Sequence, residues 1–203
     1  GVHRERVLQY KTGVWDRMMA SRAEYLAQAV AQSPQNNRGS IAPMVDAISE
    51  PFEASTSLAR WTLVEPGERT LAGGTVTAFA GNDCLKVIPN HVVQGKTRTT
   101  LQSRERMPVN MDQTVTMSCA ARGAAETSGD YLILDCFDAN GKLLKAIWKP
   151  LAASPEWTAV AHDVVLDAKT VEVDGLSVVG LRILCSGGGT WYLDDIRISV
   201  RKP

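Results

Sequence analysis

The sequence predicts an all-β chain, an antiparallel sandwich or barrel preceded by an α-helix, on three observations. Short apolar or alternating runs recur at near-regular spacing from Arg60 to the end. Turn chemistry separates them: Glu65-Pro66-Gly67, Gly73-Gly74, Gly81-Asn82-Asp83, Asp138-Ala139-Asn140-Gly141, Ser154-Pro155 and Ser186-Gly187-Gly188-Gly189. No helical-period segment lies between consecutive runs, which excludes the crossovers of a parallel α/β sheet.

Taken in order, residues 1–32 read as an amphipathic helix. Leu8, Trp15, Met19, Leu26 and Val30 recur at spacings of three, four or seven, so they share one stripe, and only Gly13 interrupts. The helix would run roughly 40 Å. Its stripe can be covered by the following domain, by a preceding one or by a second copy; Arg22 interrupts the heptad that self-pairing needs. Residues 33–44, opening with Ser33-Pro34-Gln35-Asn36-Asn37, read as a linker, and 45–203 as the sandwich. Strands are expected at Arg60–Val64, Thr75–Ala80, Cys84–Ile88, Thr97–Ser103, Thr114–Ala121, Tyr131–Phe137, Leu143–Trp148, Trp157–Leu166, Val178–Cys185 and Trp191–Val200. Asn140-Gly141 is the strongest hairpin signal. In the last run Tyr192, Ile196, Ile198 and Val200 alternate onto one face, and Asp194 falls on that face with them. A carboxylate there needs a hydrogen-bonding partner, a cation or a wet strand end.

Composition narrows the function. At 203 residues the chain can bury one full core plus an appendage. Lysine plus arginine and aspartate plus glutamate number 22 each, so no long-range field selects a polyanion such as nucleic acid. No apolar run of about 18 residues spans a membrane, and no signal-like segment opens the chain. Cys84, Cys119, Cys136 and Cys185 are far apart and form no C-x-x-C pair, which disfavours zinc and dithiol chemistry. The last three alternate with apolar neighbours, so buried free thiols are preferred over a disulfide.

Phe52-Glu53, Trp61, Gly81-Asn82-Asp83-Cys84-Leu85-Lys86-Val87, Phe137-Asp138-Ala139-Asn140-Gly141-Lys142, Glu156-Trp157-Thr158 and Tyr192-Leu193-Asp194-Asp195-Ile196 follow one another in that order. The series resembles the jelly-roll carbohydrate-binding modules of galactose-binding-like fold attached to xylanases, glucanases and related glycoside hydrolases. It covers roughly residues 45–203 and leaves the helix unexplained. The resemblance implies an antiparallel jelly-roll β-sandwich. It also implies a structural calcium ion held by Glu53 and Asp194 with loop carbonyls near Asn82 and Asp83; calcium takes six to eight oxygen ligands. Glu50-Pro51 depart from the small residues that commonly precede Phe-Glu in those modules.

It implies a sugar-binding face as well, which needs exposed aromatic planes beside polar side chains. Trp15 belongs to the helix stripe and Trp61 to the core. Trp148, Trp157, Trp191 and Tyr131 remain, each with ordinary packing as the competing reading. Tyr131 alternates with Asp135 opposite the Leu132, Leu134, Cys136 face, so these two form an outward pair; Trp148 shares a face with Leu144 and Ala146. Tyr131, Asp135 and Trp148 are therefore the candidate ligand-binding residues. An aromatic content of 6% argues against a long flat platform.

Catalytic machinery is not legible. There is no nucleophile elbow and no H-E-x-x-H, and Gly187-Gly188-Gly189 lacks a phosphate-binding lysine. Asp194 and Asp195 point to opposite faces of a strand, unlike the paired acids of a glycosidase. His162, between Val160 and Val164, reads as a core or boundary residue. The expected function is a noncatalytic carbohydrate-binding module, an accessory of a secreted, cell-surface or periplasmic polysaccharide-acting protein. Its partners would be a polysaccharide or oligosaccharide and other domains of a larger protein. The alternative is a structural or protein-interaction ectodomain of a membrane-anchored or oligomeric assembly that binds no sugar.

Overall fold

The structure, a computed structural model, describes residues 45–53, 55–123, 130–151, 154–172 and 174–201. The expected helix (1–32) and linker (33–44) lie outside the described residues. The rest is built from β1 (Ala47–Glu50), β2 (Trp61–Leu63), β3 (Gly67–Leu71), β4 (Leu85–Pro89), β5 (His91–Val93), β6 (Lys96–Ser103), β7 (Met107–Pro108), β8 (Thr114–Arg122), β9 (Tyr131–Asp138), β10 (Leu143–Pro150), β11 (Thr158–Val165), β12 (Leu176–Ser186) and β13 (Trp191–Val200). A 3₁₀ turn, Ser55–Arg60, leads into β2.

Two antiparallel sheets face each other. One runs β11-β8-β13-β4-β3, with β1 also on β13; the other runs β10-β9-β12-β6-β2, with β5 on β6 and β7 on β12. The sandwich and its antiparallel pairing are as the sequence predicts. The Asn140-Gly141 hairpin joins β9 to β10, with Gly141 at φ 79° and the Asp138 carboxylate accepting from the amides of Asn140 and Lys142.

Alternation along the strands fills the space between the sheets. Met117 and Ala121 of β8, Leu132 and Leu134 of β9, and Leu181 and Ile183 of β12 point inward. Trp61 and Trp191 are both fully buried; rings of this size remove about 150–250 Å² each from water. All four cysteines are free and buried. Burial, which penalises the thiolate, pushes Cys84 and Cys136 up to about 11 and Cys119 and Cys185 further.

The structure corrects two expectations. Residues 75–80 form no strand; after the left-handed Gly73-Gly74 turn they lie as a loop, two of whose backbone groups are bonded by side chains. Trp157 Nε1 donates to the Thr77 carbonyl at 2.9 Å, and the Ala80 amide donates to Asp194 Oδ2 at 2.9 Å. The simple alternation expected in β13 also fails. A bulge at Asp194–Asp195, with Asp195 at φ 45°, puts Trp191 and Leu193 inward before it and Ile196 and Ile198 inward after it. The bulge falls where the neighbour of β13 changes from β4 (Trp191–Leu193) to β1 (Ile196–Ser199). Strands β1, β3, β5 and β7 are additional to those expected, being short or of mixed polarity.

Candidate functional site

The outer face of the seven-stranded sheet carries an organised polar layer. Cross-strand registers align Trp148 (β10), Ile133 (β9), Arg182 (β12), Gln102 (β6) and Thr62 (β2) in one row. At about 4.8 Å per strand the row spans roughly 19 Å. The adjacent rows place Tyr131 beside Leu184 and Thr100, and Ala146 beside Asp135 and Gly180.

Trp148 is 50% exposed, and its ring meets Tyr131 edge-on, with centroids 5.3 Å apart and planes at 79°. The edge position of β10 leaves the indole open, although Leu144 and Ala146 alone suggested an apolar face. Tyr131 is half-buried.

Asp135 sits two residues along the same face, as alternation requires, but it is not an open partner for Tyr131. It is only 1% exposed, because Arg182 lies over it and donates from Nε to Oδ2 at 2.5 Å and from Nη2 to Oδ1 at 2.7 Å. Burial raises the Asp135 carboxyl above the ordinary range, opposed by Arg182 and then Arg106. Arg106 approaches from the other side, its guanidinium carbon 4.0 Å from the Phe137 ring centre. Gly180 makes that seat possible: a methyl group there would come within 2.3 Å of Arg106 Nη1. Further along, Glu65 accepts from Arg98 at 2.5 Å and from the Thr100 hydroxyl at 2.8 Å.

Of the residues on this face, sequence reasoning named Tyr131, Asp135 and Trp148 and did not name Arg182, Arg106, Gly180, Gln102 and Glu65. A signal existed for Arg182, which interrupts the apolar run Leu181–Leu184 at an outward position. Arg106, between β6 and β7, follows no periodic pattern.

The proposed metal residues meet at one loop. Glu53 Oε1 accepts the Asn82 amide at 2.7 Å and Oε2 accepts Asn82 Nδ2 at 3.2 Å. Asp194 Oδ2 accepts from Ala80, and Oδ1 accepts from the Asp195 amide at 2.7 Å. Burial raises the Asp194 carboxyl, against the amides that hold it. Gly81, at φ 66°, admits Glu53: a side chain there would meet Oε1 at 1.8 Å. Glu50 is buried in a pair with Arg60 at 2.9 Å and accepts the amide of Phe52, whose φ of 56° is unusual for an aromatic residue. Among the described residues no third acidic, histidine or cysteine side chain joins Glu53 and Asp194. A carboxylate offers about four lone-pair sites, so each retains acceptor capacity beyond its N–H partners. The donor set suits a hard cation if loop carbonyls complete it.

Trp191 is fully buried and Trp157 half-buried. Trp191 Nε1 donates to the Ser186 carbonyl at 2.9 Å, and Trp157 pairs with Phe79 on the other sheet at 6.0 Å. His162 is half-buried, with Nε2 2.8 Å from the Pro150 carbonyl.

No protein-family model matches the chain, and no curated protein does. Solved structures do. The CBM22-1 xylan-binding domain of Xyn10C from Paenibacillus barcinonensis is 16% identical, with 80% of this chain covering 99% of that domain at a TM-score of 0.52. The arabinose-bound α-L-arabinofuranosidase MgGH51 is 13% identical over 75% of this chain and 24% of the enzyme, at 0.53. The enzymatically active domain of tailspike protein 4 from bacteriophage CBA120 is 10% identical over 70% of this chain and 20% of that one, at 0.50. At these identities the likeness is one of fold: the chain has the jelly-roll β-sandwich of carbohydrate-binding modules, and the same fold is built into larger enzymes.

Proposed function

We propose that the sandwich is a noncatalytic carbohydrate-binding module and that it binds glycan on the outer face of the seven-stranded sheet. The observation that carries the reading is Trp148, half exposed and held edge-on by Tyr131, at the end of a row that continues into Arg182, Gln102 and Thr62. A pyranose ring needs that combination, an aromatic plane for its C–H face and polar side chains for its hydroxyls. A xylan-binding domain that shares the fold over almost its whole length supports the same reading. The module would serve as an accessory of a secreted, surface or periplasmic polysaccharide-acting protein. A calcium ion bridging Glu53 and Asp194 would tie the 79–83 loop to β13 and so act on stability rather than on the ligand.

Affinity gels containing soluble xylan, glucan, mannan or pectin test this. The chain should be retarded by at least one polymer, and Trp148→Ala should weaken that retardation at least about tenfold, or 1.4 kcal/mol. Blank gels with every polymer would overturn the sugar reading and favour a structural or protein-interaction domain.

A further inference from the structure

We propose that the glycan taken by this face carries carboxylates, so that the ligand is a uronate-bearing polysaccharide rather than a neutral one. The inference rests on the reading of the face as sugar-binding and concerns which sugar it selects.

A neutral glycan presents hydroxyls that both donate and accept, so its site must offer acceptors as well as donors. Here the carboxylates are already engaged by the protein's own donors. Both oxygens of Asp135 take N–H groups of Arg182, and the oxygens of Glu65 take Arg98 and Thr100. Guanidinium groups outnumber the carboxylate they surround: Arg106 and Arg182 both stand beside Asp135, and Arg104 adds another at the rim, donating to Thr62 Oγ1 at 3.0 Å.

Arg106 is the group best suited to an incoming carboxylate. It lies across Gly180 and against Phe137, half-buried, and its one hydrogen bond among the described residues is a long one, to the Ser103 carbonyl at 3.3 Å. It has no carboxylate of its own, because Asp135 is already engaged in the fork of Arg182. A guanidinium in that position matches a carboxylate bidentately, which a lysine would not do. The packing against Phe137 fixes its plane before the ligand arrives.

The test compares polygalacturonate and glucuronoxylan with their carboxyl-reduced forms, by affinity gel and calorimetry on the full chain, between 0.05 and about 0.5 M salt. The expected result is at least tenfold tighter binding of one uronate polymer than of its reduced form, weakening as salt screens the contact. Arg106→Gln should remove most of that preference. Gly180→Ala should do the same while keeping every charge, because it denies the guanidinium its seat; melting temperatures of both variants report whether the sandwich is intact. Arg197→Gln, on the other sheet, should change nothing. Equal binding of native and reduced polymers would overturn this inference and leave the sugar reading standing. Equally tight binding of dextran sulfate would overturn it too, as nonspecific polyanion attraction. No binding of any form would overturn both.

Discussion

The two outer faces of the sandwich differ in what covers them. On the six-stranded sheet, Ser118, Ala120, Ala159 and Ala161 floor a shallow depression of about 120 Å³ rimmed by Phe79 and Asp195. Its charges stand in water: Arg197 pairs with Asp195 at 2.7 Å and Arg201 with Asp163 at 3.2 Å, with side chains 29–66% exposed. On the seven-stranded sheet Arg182 and its neighbours lie down on the strands, so that Asp135, Thr100 and Ile133 are covered although they point away from the core, while Trp148 stays half exposed. Side chains of this size held flat in a hydrogen-bonded layer lose rotamer freedom that solvated ones keep. Simple solubility does not require such a layer, and its presence on one face singles that face out.

Asp135→Ala should have the largest effect. It strips the bidentate acceptor from Arg182 in a site where water cannot fully replace it, and losing one partner of a buried pair costs about 3–5 kcal/mol. Equilibrium denaturation measures this directly. A cost under about 1 kcal/mol would mean that the pair is as wet as those on the opposite face.

That burial was not legible in the sequence. Alternation placed Asp135 on the outward side of β9 together with Tyr131, which is where both are. Its cover comes from Arg182, 47 residues later, and no local pattern reports a partner so distant. The fold was far more legible, since a period of two and residues such as Asn140-Gly141 act locally. It was misread where long-range satisfaction overrides local preference. Thr75–Ala80 has strand-like composition, but Asp194 and Trp157 bind its backbone groups as a loop. The alternation in β13 breaks at a bulge set by a change of neighbouring strand, which is again a tertiary fact. Glu53 and Asp194 were brought together only by resemblance, and the structure brings them to one loop.

Asp194, on the six-stranded sheet, is a fully buried carboxylate held by two amides. Asp194→Asn keeps the shape but turns one acceptor into a donor facing an N–H, which should cost about 1–3 kcal/mol. Burial holds its folded pKa above the unfolded value of about 3.9, so the folded state binds the proton more tightly. Stability from this group is therefore fully present below the unfolded pKa and is lost as pH rises through the folded one. In chelator, the cost of Asp194→Asn should be greatest near pH 3 and shrink toward neutrality. Calcium at neutral pH should raise the melting temperature of the unmodified chain and not that of the variant. A cost independent of pH, or an equal calcium response in both, would remove Asp194 from these roles.

The smallest effects should come from the open charges of the six-stranded sheet. Arg197→Ala leaves Asp195 solvated, and Asp163→Ala frees Arg201 and the Thr116 hydroxyl, which donates to Asp163 at 2.7 Å, to bond water instead. Exposed pairs are worth about 0–1 kcal/mol, so each change should stay within about 0.5 kcal/mol and leave glycan retardation untouched. Such near-neutrality is informative only beside the Asp135 result. Charge removal that is costly on one face and nearly free on the other attributes the difference to the covering layer rather than to the strands beneath. Comparable losses from Arg197 and Asp135 would mean instead that both faces contribute alike, and the functional weight given to the seven-stranded sheet would then rest on Trp148 and Tyr131 alone.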